Sequence, residues 1–301
     1  MTVFDLLLFV IIVFVLGGIY LITNYFRRAL VRTKNSLELS GAKQAIVQVK
    51  NPTNHNPVNP NSFVSASKSE ILAVFPFFAS VPEGLQDNME IHVNDFLYEK
   101  VFIGKGDLEV TREMKISIAA QASLLMAGRK ELCFPKLRTV EVYPAQIGPY
   151  EGLSIMKFAG ETPVSGVVKV SWATAKKEGE VATPNRNVVL HEMAHQLDFE
   201  DGEADGIPEL YLHILEVIKD DPKETWMKIL NQSKSLFSQS TQEGGMHPHS
   251  LEDDAEFFAE ASVAFFYGAH TLKSGLPKLY DLLARFYNQD PAAYLPGQVR
   301  G

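Results

Sequence analysis

His191-Glu192-Met193-Ala194-His195 places two imidazoles four residues apart with a carboxylate between them. On an α-helix, residues at i and i+4 stack on one face, so both rings can reach a single ion. That spacing is the pattern of a zinc-dependent hydrolase. Glu192 lies about 100° round the helix from His191 and about 60° from His195. From there its carboxylate can reach a metal-activated water without ligating the ion, which makes it the candidate general base. Val188, Val189, Leu190, Met193, Ala194 and Leu197 make the segment apolar nearly all round. A buried helix is expected, capped by Asn185 or Asn187, and buried imidazoles need a partner that a metal supplies.

A catalytic zinc takes a third protein ligand and keeps one position open. Asp198 and Asp201 follow His195 at short range, but elongated motifs with a local third ligand turn at a glycine where this chain has Asp198. The acidic stretch 198–206 lacks the alternating oxygens and closing glutamate of a calcium loop, and reads as a helix exit with a solvated turn. The third source is residues 251–267, an aromatic helix with Glu256 and Glu260 at i and i+4 among Phe257, Phe258, Phe265 and Phe266. Carboxylates in that setting are costly to bury without a cation or hydrogen-bond donors. The arrangement resembles that of gluzincins, where a glutamate on a second helix is the third ligand and an acidic residue one turn later orients a ligating histidine. That resemblance makes Glu256 the ligand and places Glu260 behind it.

Further motifs extend the likeness: Phe96-Leu97-Tyr98-Glu99-Lys100, Ile118-Ala119-Ala120-Gln121-Ala122, Val142-Tyr143-Pro144, Ser171-Trp172 and Asp205-Gly206-Ile207-Pro208. From about residue 75 to about 290 the chain resembles the Mlc titration factor A family of zinc peptidases. The catalytic domain of that family is similar to the protease domain of anthrax lethal factor, whose metal-binding helix also reads as residues 255–260 do here. The resemblance implies an α+β, mostly helical zincin-like metalloprotease domain with a small sheet. It implies one Zn2+ held by His191, His195 and Glu256, Glu192 as base, and a peptide or protein substrate, with aminopeptidase-like action on short peptides. It also implies an alternative in which the domain sequesters a cytosolic transcriptional regulator and the zinc is mainly structural.

The chain departs from that pattern at one catalytic position. The relatives carry a tyrosine seven residues before the ligating glutamate, where its hydroxyl can stabilise an oxyanion; this chain has His249. An imidazole N–H could donate the same bond, from His249 or from the neighbouring His247. Val263 stands where relatives often carry a glutamate, away from the ligand turn.

The elements that must position these groups are mostly helical. Apolar residues recur at helical spacing over 113–129, 208–219, 223–236 and 277–287, while 138–143 and 166–172 read as β-strands. By resemblance, the second strand is an edge that holds an extended peptide across the metal.

Residues 6–22 are an unbroken apolar run that as a helix spans roughly 26 Å, enough with its flanks to cross a bilayer. The start Met1-Thr2-Val3-Phe4-Asp5 has no positive region and no small-residue cleavage site follows, so an uncleaved transmembrane helix is expected. Arg27, Arg28, Arg32 and Lys34 then keep the following chain on the cytoplasmic side and the amino terminus outside. A lone Cys133 suits a reducing compartment. The net charge of −8, without a basic stripe or phosphate loop, points away from nucleic acid. The expected organisation is an anchor with basic flank over 1–35, a Pro/Asn-rich linker over 36–70 and a zinc metallopeptidase domain over 71–301.

Overall fold

Ser67 opens the first helix with a reciprocal cap: its hydroxyl accepts from the Glu70 backbone N–H and the Glu70 carboxylate accepts from the Ser67 N–H. Helix α1 (Lys68–Val74) follows, so residues 68–70, read from composition as the end of the tether, are helical. The computed structural model describes residues 64–129, 134–145, 166–209, 221–239, 246 and 248–296, with the side chains of 248 and 249 outside that description. The apolar run 6–22, the linker up to residue 63, Cys133 and residues 210–219 of the helix expected over 208–219 also lie outside the described residues, while residues 208–209 are not helical. Among the described residues no helix is long and apolar enough to cross a membrane.

The described architecture is α+β, mostly helical, around one three-stranded parallel sheet ordered β1-β2-β3. Strand β1 (Val101–Gly104) leaves helix α2 (Glu83–Glu99) at Lys100, and β2 (Thr139–Tyr143) lies beside it with Val101 opposite Thr139. Strand β3 (Val167–Ser171) pairs with the other side of β2, Thr139 opposite Val167. Parallel neighbours need a long crossover, and the β1-to-β2 connection carries helix α3 (Arg112–Leu124). Val140, Val142, Val168 and Val170 are buried while their strand neighbours are more open, the period-2 alternation visible in the sequence.

Two predicted elements end earlier than their apolar pattern does. The helix expected over 113–129 stops at Leu124 and turns through 125–128, because the backbone of Gly128 meets a distant helix end. A Cβ there would lie 2.2 Å from the Asn288 carbonyl oxygen, and the Gly128 carbonyl accepts from Asn288 Nδ2 at 2.7 Å. The strand expected over 166–172 ends at Ser171, whose hydroxyl accepts from Thr174 N and caps helix α4 (Trp172–Glu180), so Trp172 is helical.

Beyond α4 come the wholly buried helix α5 (Val188–Asp198), α6 (Pro222–Gln239), a single 3₁₀ turn (Pro248–Leu251), α7 (Asp254–Tyr267), α8 (Ala269–Gly275), α9 (Pro277–Tyr287) and the short α10 (Pro291–Tyr294). Helix α9 buries Leu279, Leu282, Leu283 and Phe286 on one stripe and stops where Asn288 adopts a left-handed φ of 49°. Trp226, Phe258 and Phe286 form the aromatic centre behind α7, with ring centroids 5.4–5.9 Å apart. Truncating a ring such as Phe258 to Ala would cost about 3–5 kcal/mol and loosen the helix that carries Glu256.

Candidate metal centre

Helices α5 and α7 form the site, and each begins with a side-chain cap that fixes its first turn. Asn187 Oδ1 accepts from Leu190 N at 2.8 Å, and Asp253 Oδ1 accepts from Glu256 N at 2.8 Å. Of the two asparagines expected as caps, Asn187 takes the role and Asn185 makes the preceding turn at φ 56°. Contacts between the helices run in opposite sequence order: Asn187 meets Tyr267, His191 meets Glu260, and His195 meets Glu256. The two helices are therefore antiparallel.

Donor atoms of three residues converge. His191 Nε2 and His195 Nε2 lie 3.2 Å apart, His191 Nε2 is 3.3 Å from Glu256 Oε2, and His195 Nε2 is 3.6 Å from Glu256 Oε1. A tetrahedral ion bound at about 2.0–2.1 Å spaces its donors about 3.3–3.4 Å apart, close to the separations of His191 Nε2 from His195 Nε2 and from Glu256 Oε2, so these three residues could share a small divalent cation. The donor chemistry fits as well, since two imidazoles and a carboxylate suit such an ion and all three are at least 96 % buried (3–4 % exposed). Among the described residues this is the one group of three or more potential ligands close enough to share an ion.

Glu260 faces the other ring nitrogen, with Oε1 3.4 Å from His191 Nδ1, where an acceptor selects the tautomer that leaves the Nε2 lone pair free. Without a cation, burial works against a charged His191. The facing Glu256 and Glu260, with Glu192 nearby, outweigh it and lift its pKa well above the usual histidine range. Burial pushes Glu256 up, but the two imidazoles overcome it and hold its carboxyl far below the usual carboxylate range. Glu192 is 2 % exposed and acts on His191 through space. The backbone of His249 lies in the 3₁₀ turn just before α7; its side chain and all of His247 lie outside the described part.

The far end of α5 is tied down by the acidic turn. Asp198 Oδ2 accepts from Gly206 N at 3.1 Å, and Trp226 Nε1 donates to the Gly206 carbonyl at 2.8 Å. Gly206 has φ 77°, and a Cβ there would sit 2.4 Å from the Asp254 carbonyl oxygen, so only glycine lets the turn close onto the start of α7. The acidic turn thus ties the end of α5 to the start of α7.

Sequence reading did not find the polar groups around Asn187. Gln121 Oε1 and Tyr267 Oη both accept from its Nδ2, and Glu178 Oε2 accepts from Val188 N at 2.6 Å. Gln121 and Tyr267 were visible only as members of a motif and an aromatic run, with nothing local to pair them.

Residues 49–288 match the model of the glucose-regulated metallo-peptidase M90 family. The chain belongs to that family. Its relatives include an uncharacterized protein of Synechocystis sp., 29 % identical over 229 residues, covering 72 % of this chain and 81 % of the relative. Mlc titration factor A of Pectobacterium atrosepticum is 26 % identical over 233 residues, covering 73 % and 85 %. The protein of that name from Serratia proteamaculans is 23 % identical over 247 residues, covering 78 % and 92 %. M90 membership makes the chain a member of a metallopeptidase family and gives the buried His-His-Glu triangle its context.

Proposed function

We propose that this M90 member is a zinc-dependent metallopeptidase of the gluzincin type, hydrolysing peptide bonds with Glu192 as general base. The observation that carries the reading is the His-His-Glu group on two buried helices, with the buried Glu192 next to His191 on the same helix. His191 and His195 offer their Nε2 lone pairs and Glu256 a carboxylate oxygen; Glu260 keeps the His191 proton on Nδ1. Zinc bound there supplies Lewis acidity, polarising a carbonyl and lowering the pKa of water. Glu192 accepts the proton of the attacking water on its carboxylate and delivers it to the leaving amine nitrogen. His249, in the turn before α7, takes the place of a hydroxyl donor to the developing oxyanion. The domain is held at the cytoplasmic face of a membrane by residues 6–22, through the linker that follows them.

The name of two relatives, Mlc titration factor A, favours a second reading in which the domain binds a regulator and the metal serves structure. One experiment separates them: zinc content and peptidase activity of the full chain, wild type against Glu192→Gln. The enzyme reading expects about one zinc in both proteins and activity reduced at least a hundredfold in the variant. Zinc in both with no cleavage of a broad peptide library by the wild type would abandon hydrolysis for binding.

A further inference from the structure

The start of the metal helix is held by a carboxamide with every bond used. Asn187 is 2 % exposed, and its Oδ1 caps Leu190 N. Its Nδ2 donates to Gln121 Oε1 at 3.0 Å and to Tyr267 Oη at 2.9 Å. Its carbonyl accepts from the backbone N–H of His191 itself at 3.0 Å. Gln121 is fixed in turn, its Nε2 within 3.2 Å of the Ser117 carbonyl, the Ser117 hydroxyl and the Ala175 carbonyl. Tyr267 sits on the helix that carries Glu256 and Glu260, with its ring stacked on Phe77 at 4.9 Å.

We infer that Asn187 is a positioning residue for the metal ligands: by bonding α3 and α7 at once, it sets where His191 stands relative to Glu256 and Glu260. Resting on the ligand assignment proposed above, this adds a residue to the site that contributes no ligand atom. The side chains of His191, His195 and Glu256 approach to 3.2–3.6 Å, so whether they can share an ion depends on how α5 and α7 are placed against each other. Packing alone tolerates such shifts better than a hydrogen-bond network whose members are all satisfied. Each acceptor of Asn187 Nδ2 belongs to another helix, so the side chain does more than an N-cap needs.

Asn187→Asp separates these roles, because a carboxylate still caps Leu190 N but cannot donate to Gln121 and Tyr267. Tyr267→Phe removes one acceptor and keeps the stacked ring. In the full chain, three quantities are to be measured for wild type, both variants and their combination. They are the zinc dissociation constant by chelator competition, the visible spectrum of the Co2+-loaded protein, and thermal unfolding of the metal-free protein. Each single variant is expected to weaken zinc about tenfold and to alter the Co2+ bands, and the double variant to be no weaker than the worse single. Metal-free Asn187→Asp should unfold within a few degrees of wild type, since its cap survives. Should that variant not fold, Tyr267→Phe decides by the same criteria. Variants that bind zinc as tightly as wild type with an unchanged Co2+ spectrum would overturn the inference alone. A wild-type chain that takes up no zinc would sink the ligand assignment and the inference with it.

Discussion

The two ends of helix α5 each hold a buried carboxylate, and the helix treats them oppositely. At the amino end Glu178 accepts from Val188 N, where unsatisfied N–H groups and the positive end of the helix dipole favour a negative charge. At the carboxyl end Asp198 stands against the negative end of the dipole, near Asp205 and Asp201. Burial, with those two neighbours adding to it, pushes the Asp198 carboxyl up to about 8, although Gly206 N and Ile207 N pull it down. Asp198 Oδ1 has no hydrogen-bond partner among the described residues. The stretch carrying His191 and His195 thus runs from an electrostatically comfortable start to a strained finish. On the reading proposed above, placement of His191 comes from the satisfied end, and pH sensitivity of the fold from the other.

The largest expected effect lies between the ends, at the ligands. In the metal-free protein His191 holds a proton beyond the usual histidine range, and on the ligand assignment proposed above a bound zinc would have to displace it. Zinc affinity should therefore rise about tenfold per pH unit through the ordinary imidazole range and keep rising above it. Glu260→Gln, which removes a charge favouring the imidazolium, should move the plateau to lower pH. Competition titrations from pH 6 to 9 read both effects, and a wild-type profile flat above pH 7 would refute the coupling.

The middle effect belongs to the strained end. An unfolded aspartate releases its proton near 3.8, whereas folded Asp198 keeps it to about 8. Between those values the folded state binds the extra proton, so stability falls as pH rises through the window, by of the order of 1 kcal/mol per unit. Asp198→Asn retains an acceptor for Gly206 N and Ile207 N and cannot ionise. Chemical denaturation at pH 5 and pH 8 should show the variant gaining on wild type as pH rises; a constant difference would mean that Asp198 is already charged at pH 5.

How much of this was legible depended on how local each contact is. The His191–His195 pair and the Glu256–Glu260 pair are one helical turn each, so spacing marked each pair, and the family resemblance joined the two pairs into the group that the fold brings together. The apolar stripe of α9 and the valine alternation of β2 and β3 were readable for the same reason. The anchoring of Asn187 was not, because its partners lie 66 and 80 residues away. Nor was the end of α3, which is set by Asn288 across a separation of 160 residues. Strand β1 is four residues long and ends at Gly104, too short for its alternation to register. Glu178 falls on a short helix among Lys176, Lys177 and Glu180, where composition reads as a solvated face although Glu178 itself is buried.

The smallest expected effect tests the comfortable end, and its sign completes the comparison. Glu178→Gln keeps an oxygen within reach of Val188 N but removes the charge, turning a charge-assisted bond at a helix amino terminus into a neutral one. The loss should be about 1 kcal/mol, opposite in sign to what Asp198→Asn shows at pH 8. Because Asn187 still caps Leu190 N, the helix should keep its first turn and zinc affinity should change less than in Asn187→Asp. Equal loss of zinc affinity in the two variants would mean that charge at the amino end, and not the three-way bonding of Asn187, places His191. The positioning role would then move one helix over, from α5 to α4.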